Sequence, residues 1–107
     1  MLIKSVYIIS HPETKEIVYV GCTKNIDQRA LVHENSITDL GNWIKNLIEL
    51  NLKPVYTIAE MAPEYGYSEI ERKWILKYHQ EGCKLFNKHI PGISRKHIRN
   101  FIIINSR

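Results

Sequence analysis

Two strand-forming segments joined by a short turn constrain the fold of this chain more than any other feature. Residues 2–9 and 17–21 are both rich in β-branched and aromatic side chains, and a turn-like segment at 11–15 separates them. Such an arrangement predicts a β-hairpin. Gly21 is expected to end the second strand, because a glycine in a strand marks an irregular or closely packed position.

Side chains alternate between the two faces of a strand, so residue parity sorts the hairpin into two sides. Tyr7 on the first strand and Tyr19 on the second are expected to point to the same side, where their hydroxyl groups share one surface. The other side is wholly apolar and is predicted to be core. Its members are Val6, Ile8, Val18 and Val20.

The residues after the hairpin predict a helix at 26–34, for which Thr23 or Asn25 is the expected N-terminal cap. Arg29 and His33 are four residues apart, so they lie on one face of this helix. The second strand and this helix therefore present a phenol, a guanidinium and an imidazole within a short stretch of chain.

The rest of the chain completes an α/β (α+β) prediction, with a small three-stranded, mainly antiparallel sheet flanked by helices. Apolar residues at helical spacing predict a second helix at 38–51, with Ser36 and Asp39 as its capping box. A third strand is expected at 55–61 and a third helix at 68–81. Further expected elements are a short strand or turn at 85–87, a basic helix at 94–100 and a last strand at 101–105.

The length of 107 residues is expected to form one domain, 1–107, because it suits a single core. Residues 84–107 are expected to form a basic C-terminal extension, since they carry +6 and no acid while the remainder carries −2. This asymmetry favours a polyanionic partner, which can be a nucleic acid, an anionic membrane or an acidic protein.

Several classes of protein are disfavoured by what the sequence lacks. No apolar run approaches the length of about 20 residues that spans a bilayer, and the N-terminal residues do not resemble a signal peptide. The expected location is therefore the cytoplasm, with no membrane partner. Cys22 and Cys83 match no metal-binding spacing and are expected to be free thiols.

The chain resembles the GIY-YIG nuclease family in a series of short motifs that occur in the family's order. The two name-giving motifs correspond to Ser5-Val6-Tyr7 and Tyr19-Val20-Gly21, where serine replaces the first glycine and valines replace both isoleucines. The resemblance covers about residues 4–90, and the middle of the chain is similar to that of small stand-alone members from phages and mobile elements. Single residues that match the family pattern are Arg29, His33, Glu71, Trp74 and Asn87.

The resemblance implies a metal-dependent endonuclease that hydrolyses phosphodiester bonds in DNA. One Mg²⁺ or Mn²⁺ ion per site would be bound by Glu71 and by the phosphate, since a carboxylate oxygen suits a hard ion. Arg29 would neutralise charge on the phosphate, and Tyr7 would act as the general base. The other implied site residues are Tyr19 and His33, which orient the water or share its proton, Asn87, which positions the glutamate or the phosphate, and Gly21, a structural turn.

DNA is the expected partner, and a homodimer mate or a separate targeting protein would supply the sequence specificity that one small domain has little room to encode. Basic side chains are expected to hold the DNA backbone without sequence preference, which makes binding sensitive to salt. These residues are Lys24, Lys45, Lys84, Lys88, Arg95, Lys96 and Arg99.

Two alternatives remain open at the level of sequence. A catalytically silent module on the same fold would bind nucleic acid or protein. Glu71 by itself also fits a capping box with Ser68, in which it would bind back to the start of its helix. A protein-binding inhibitor would instead use the surface of the helix at 38–51, and exposed Trp43 and Leu47 side chains would support it.

Overall fold

The computed structural model describes residues 3–88, which form a three-stranded antiparallel sheet and three helices. In chain order the elements are β1 (Ile3–Ser10), β2 (Ile17–Thr23), α1 (Ile26–Glu34), α2 (Asp39–Glu49), β3 (Val55–Pro63) and α3 (Tyr67–Gln80). The strands lie in the order β2-β1-β3, so the first strand is central. These elements confirm the predicted α+β class and the antiparallel sheet. The elements expected at 94–100 and 101–105 lie outside the described residues.

The hairpin forms as predicted and brings the two tyrosines to one side of the sheet. Tyr7 pairs with Gly21 and Ile9 pairs with Tyr19, and the register shifts between Ile9 and Ser10. The rings of Tyr7 and Tyr19 have centroids 6.3 Å apart. The prediction that Gly21 ends the second strand is wrong, because β2 continues through Thr23.

Both faces of the sheet are buried, whereas the sequence predicted a core on one side only. A cluster on the tyrosine side joins the hairpin to α2, and a cluster on the other side joins it to α3. The first comprises Tyr7, Ile9, Val18, Leu40 and Ile44. The second comprises Val6, Val20 and Ile75, with Ile8 and Trp74 packed against it. Val18 therefore belongs to the tyrosine side, where the register shift of the hairpin changes the regular alternation.

The helix ends follow side-chain caps that the sequence predicted in part. Asn25 caps α1, since its side chain accepts a hydrogen bond from the backbone N–H of Gln28 at 3.1 Å. Thr38 caps α2 by accepting from the Gly41 N–H at 3.1 Å, so the expectation that Ser36 caps this helix is wrong. Ser36 instead donates its hydroxyl proton to Thr38 Oγ1 at 2.8 Å.

The surface required by the inhibitor hypothesis is largely buried. Leu47 is only 4% exposed, and the Trp43 ring packs against the first core cluster between His11 and Phe86. The apolar stripe of α2 therefore stabilises the core, and it does not present an apolar surface to a partner. No helix within residues 3–88 is long and apolar enough to cross a membrane.

The last described residues run along the outer edge of β2. The Phe86 N–H donates to the carbonyl of Val18 at 2.7 Å. The Asn87 side chain accepts from the Val20 N–H at 3.0 Å and donates to the Val20 carbonyl at 2.7 Å. The segment at 85–87 is thus neither a helix nor a regular strand, but it covers this edge of the sheet and ends beside the site.

Candidate active site

A hydrogen-bonded phenol and imidazole occupy the centre of the site. The Tyr7 hydroxyl oxygen lies 2.7 Å from His33 Nε2, and the Tyr7 side chain is only 1% exposed. The central strand places Tyr7 under α1, and the last turn of α1 places His33 over it. This hydrogen bond therefore joins the core of the sheet to a helix at the surface.

The protonation states of this pair follow from burial and from the charges nearby. Burial raises the pKa of Tyr7 well above its ordinary value, the neighbouring Tyr19 raises it further, and the Arg29 guanidinium lowers it. Burial, followed by the positive charge of Arg29, lowers the pKa of His33 below its ordinary value. At neutral pH the phenol is therefore protonated and the imidazole is uncharged, so His33 is able to accept a proton from Tyr7.

Tyr19 lies at the wall of the site and connects its two sides. Its ring meets the His33 ring edge-on, with centroids 5.2 Å apart, and it also lines the cleft described below. Burial and the Glu71 carboxylate raise the pKa of the Tyr19 phenol, while Arg29 lowers it. Tyr19 is therefore close enough to interact electrostatically with both Glu71 and Arg29, although these two residues are far apart in the sequence.

Gly21 has a different role from the turn that the sequence predicted. A Cβ atom at this position would overlap the Cζ and hydroxyl oxygen of Tyr7 and would lie 2.9 Å from Cε2 of Tyr19. The glycine is required because the Tyr7 phenol lies directly against its Cα. Tyr7 of the first motif and Gly21 of the second motif thus contact each other directly across the hairpin.

A cleft of about 560 Å³ opens between the α1–α2 turn, α3 and the edge of β2, next to the phenol–imidazole pair. It brings together side chains from all three of these regions. Four of the six residues predicted to be catalytic line this cleft. Tyr7 lies behind it and is hydrogen-bonded to His33, one of the lining residues. Its polar lining includes Tyr19, His33, Ser36, Thr38, Asp39, Ser68, Glu71, Arg72, Asn87 and Lys88.

Glu71 faces this cleft as a half-buried carboxylate. The capping-box alternative for it is wrong, because α3 starts at Tyr67 and has no side-chain cap. Within residues 3–88 it forms no hydrogen bond through its side chain and no ion pair. Burial raises the pKa of Glu71, and the Lys4 ammonium partly opposes this shift.

The donor set around Glu71 fits a single hard divalent ion. A half-buried carboxylate that has no partner in the described part of the chain is an oxygen ligand that such an ion would satisfy, and Mg²⁺ usually keeps several water ligands. No group of three His, Cys, Asp or Glu side chains able to hold a metal occurs in the described part of the chain. The remaining ligands would therefore be water and phosphate oxygens.

Arg29 lies outside the cleft lining, on the exposed part of α1 one turn before His33. It makes no ion pair with any residue in the range 3–88. Its positive charge nevertheless acts on both phenols, Tyr7 and Tyr19. The guanidinium is thus available to an anion at the site, without a competing carboxylate.

Asn87 and the predicted DNA-binding lysines have varied surroundings. Both ends of the Asn87 amide bind the backbone of Val20, so this side chain braces the β2 edge next to the cleft. Lys88 lines the cleft, and Lys24 forms an ion pair with Glu64 at 2.5 Å. Lys45 donates to the Ser36 carbonyl and Lys84 is exposed. The predicted binding residues Arg95, Lys96 and Arg99 lie outside the described residues.

Two cations near the site were not predicted from the sequence. Arg72 lines the cleft and directly follows Glu71 in the chain. Lys4 holds its ammonium 3.7 Å from the ring centroid of Tyr67, the first residue of α3, and its charge acts on Glu71. Strand parity was the available signal for Lys4, since it shares a sheet side with Val6 and therefore faces α3.

Comparison with known proteins agrees with this arrangement. The model of the GIY-YIG catalytic domain matches residues 3–88, which is most of the chain. No curated protein and no solved structure matches the chain significantly. Family membership supports a nuclease, which implies a DNA substrate, and nucleases of this family generally use divalent metal ions. The order of the motifs, the antiparallel sheet and the family match lead to one conclusion: the chain belongs to the GIY-YIG family.

Proposed function

We propose that this protein is a metal-dependent endonuclease that hydrolyses phosphodiester bonds in DNA. The observation that carries the proposal is the convergence on one cleft of His33 and Tyr19 with the Glu71 carboxylate, which has no side-chain partner among residues 3–88, backed by the Tyr7–His33 hydrogen bond. Separate structural roles for these side chains would not require them to meet. Their meeting supports a single chemical site.

Proton transfer from the attacking water is assigned to Tyr7 and His33 acting together. Because burial strongly disfavours a free phenolate, Tyr7 is a poor base if it must lose its proton first. The uncharged His33 Nε2 is placed to accept the phenol proton while the phenol oxygen accepts one from water. Tyr19, which contacts the His33 ring, orients the water.

Neutralisation of the negative charge on the phosphate is assigned to the basic side chains and to a metal ion that Glu71 would hold. Arg29 binds the phosphate through its planar set of donors, and Arg72 and Lys88 provide further positive charge along the cleft. Glu71 would hold one Mg²⁺ or Mn²⁺ ion. When bound, such an ion supplies stabilisation of negative charge on the leaving oxygen. Asn87 positions the cleft wall through the β2 backbone.

The sequence features also support a likeness to the small family members of phages and mobile elements. Residues 3–88 form little besides the catalytic fold, so sequence preference is assigned to a homodimer mate or to a targeting protein. One such site cuts one strand at a time. A catalytically silent binding module is the less favoured alternative, because it would not require Glu71 to remain unpaired at the cleft.

Plasmid cleavage tests the proposal. Supercoiled plasmid is incubated with the protein in Mg²⁺ or Mn²⁺, and nicked and linear products are measured by gel. The wild type is expected to cut, and Glu71→Gln is expected to lower the rate at least about 100-fold, since it removes the metal ligand and its charge. Glu69→Gln is the matched control, because Glu69 is exposed on the same helix and lies outside the cleft lining. No cleavage by the wild type in either metal would contradict the proposal.

A further inference from the structure

The two most exposed large apolar side chains among residues 3–88 lie on the two turns beside the cleft. Ile37 is 92% exposed and Tyr65 is 85% exposed, well above the next value of 69% for Leu50. Ile37 is the tip of the α1–α2 turn, between two residues that line the cleft. Tyr65 is the tip of the β3–α3 turn, three residues before the cleft residue Ser68.

The exposure of Ile37 is imposed by a hydrogen-bonded turn. Ser36 donates its backbone N–H to the His33 carbonyl at 3.2 Å and its hydroxyl to Thr38, while its own carbonyl accepts from Lys45 at 3.2 Å. Such a turn holds the branched side chain in water, where apolar surface is unfavourable. The cost is relieved when the tip meets an apolar surface.

The turn that carries Tyr65 is also tied down on both sides. The Gly66 N–H donates to the Pro63 carbonyl at 3.0 Å. The Glu64 carboxylate pairs with Lys24, which directly follows β2. An aromatic ring is thus presented to solvent at the turn before α3, and an aliphatic side chain is presented to solvent at the α1–α2 turn.

The positive charges in and near the cleft identify the kind of partner. Arg72 and Lys88 line the cleft, and Arg29 stands next to it without an ion pair among the described residues. A partner that satisfies both the cations and the apolar tips must combine a polyanionic backbone with flat apolar faces. Nucleic acid bases on a phosphate backbone have this combination.

We propose that Ile37 and Tyr65 contact DNA bases near the scissile phosphate, and that the preferred substrate has an unpaired base beside the cut. In a regular duplex the base faces are stacked and closed to side chains, so the tips can reach them only where stacking is broken. Tyr65 stacks on the unpaired base, and Ile37 packs against the adjacent base step. This inference rests on the proposed function, since it names the substrate class of the same site.

Binding measurements without cleavage test this inference. In the Glu71→Gln background, dissociation constants are measured for two duplexes of equal length, one fully paired and one with a single bulged 2-aminopurine. The protein with both tips intact is expected to prefer the bulged duplex, and fluorescence of the 2-aminopurine should fall when Tyr65 stacks on it. Adding Ile37→Ser and Tyr65→Ser together should reduce the preference about tenfold, because stacking on one base contributes this order of affinity.

Two further variants separate base contact from general effects. Tyr65→Phe keeps the ring and should keep the preference. Leu50→Ser removes an exposed apolar side chain that lies outside the cleft lining, and it should also keep the preference. Equal affinity for both duplexes, or a preference unchanged by the double substitution, would overturn the inference and point to a protein partner for the tips. Cleavage is scored separately on plasmid, so failure of the nuclease proposal is distinguished from failure of this one.

Discussion

Helices α1 and α2 follow each other in the chain but contribute to the protein in opposite ways. α2 buries Leu40, Gly41, Ile44 and Leu47, whereas α1 has no fully buried residue. On α1, Leu31 and Val32 are more than half exposed. α1 nevertheless provides two of the proposed site residues, Arg29 and His33, and α2 provides none.

The difference shows how a small domain separates stability from chemistry. α2 is held by burial of apolar surface, which is worth several kcal/mol per large side chain. α1 is held by its Asn25 cap, by the contact of Ile26 with the first core cluster and by the hydrogen bond between Tyr7 and His33. A helix held in this way can leave its guanidinium free for substrate. Substitutions in α2 should therefore act on folding, and substitutions in α1 on catalysis.

The largest expected effect is the loss of stability on truncation in α2. Ile44→Ala should lower the free energy of unfolding by about 2–5 kcal/mol, because it removes a fully buried side chain and leaves a cavity. Urea unfolding followed by circular dichroism measures this change. Leu50→Ala, at the exposed C-cap of the same helix, should stay within about 0.5 kcal/mol of the wild type. If cleavage per folded molecule fell strongly in Ile44→Ala, the separation of roles would be wrong.

The corresponding change in α1 should affect the rate and leave stability nearly unchanged. Arg29→Ala should reduce the cleavage rate about 10²- to 10³-fold, as expected when one charged donor to a transition state is lost. Its free energy of unfolding should change by no more than about 0.5 kcal/mol, since the side chain is exposed. Arg29→Lys should recover part of the rate, because lysine keeps the charge but not the planar fork. Gln28→Ala is the control on the same helix, and a normal rate for Arg29→Ala would contradict its assigned role.

Two glycines provide a further test of the separation between stability and chemistry, because an added Cβ atom would meet different groups at each position. A Cβ at Gly41 in α2 would overlap the backbone carbonyl oxygen of Ser36, whereas one at Gly21 would overlap the Tyr7 phenol. Gly41→Ala should therefore destabilise the fold, by about 1–3 kcal/mol. Gly21→Ala should displace the phenol and lower cleavage even in molecules that remain folded. Unfolding curves and single-turnover cleavage rates are measured for both variants. Equal effects of the two substitutions on stability and on cleavage would contradict these separate roles.

The smallest expected effect is a change in the pKa of His33. Its pKa is lowered by burial and by the Arg29 charge, so the unfolded chain binds more protons than the folded one just below pH 6.5. Stability from this group is therefore complete above that pH and is lost as the pH falls through the lowered pKa. Arg29→Ala removes one of the two causes and should raise the His33 pKa toward its ordinary value. NMR titration of the imidazole tests the direction, with Gln28→Ala as control, and an unchanged or lower pKa would contradict it.

Predictions from local pattern succeeded where the physical cause is itself local. The three strands, the three helices and the Asn25 cap depend on residue type and spacing within a few positions. The shared side of Tyr7 and Tyr19 follows from alternation along two paired strands. The place of Glu71 came from the family resemblance, because nothing near it in sequence indicates that it faces a helix some forty residues earlier.

Predictions failed where a distant contact decides the role of a residue. Gly21 was expected to end a strand, but its glycine character is required by Tyr7 across the hairpin. Val18 was predicted on the side of Val6 but lies on the side of Tyr7, because of a register shift that alternation alone does not predict. The site role predicted for Asn87 stays a prediction, but the contacts of its amide with the Val20 backbone were not predictable, because Val20 lies 67 residues away in the chain.

The sequence by itself determined the elements, the family and the chemical groups of the site, because hydrophobic period, caps and motif order are all written in neighbouring residues. Only the tertiary structure decided how those groups work together. Packing of α2 on the tyrosine side buries Tyr7 and so raises its pKa, and the last turn of α1 pairs Tyr7 with His33. Packing of α3 on the other face places Glu71 at the same cleft, where it has no side-chain partner among residues 3–88. Burial and Coulomb interactions depend on distance in space, so strand order and helix packing determine them.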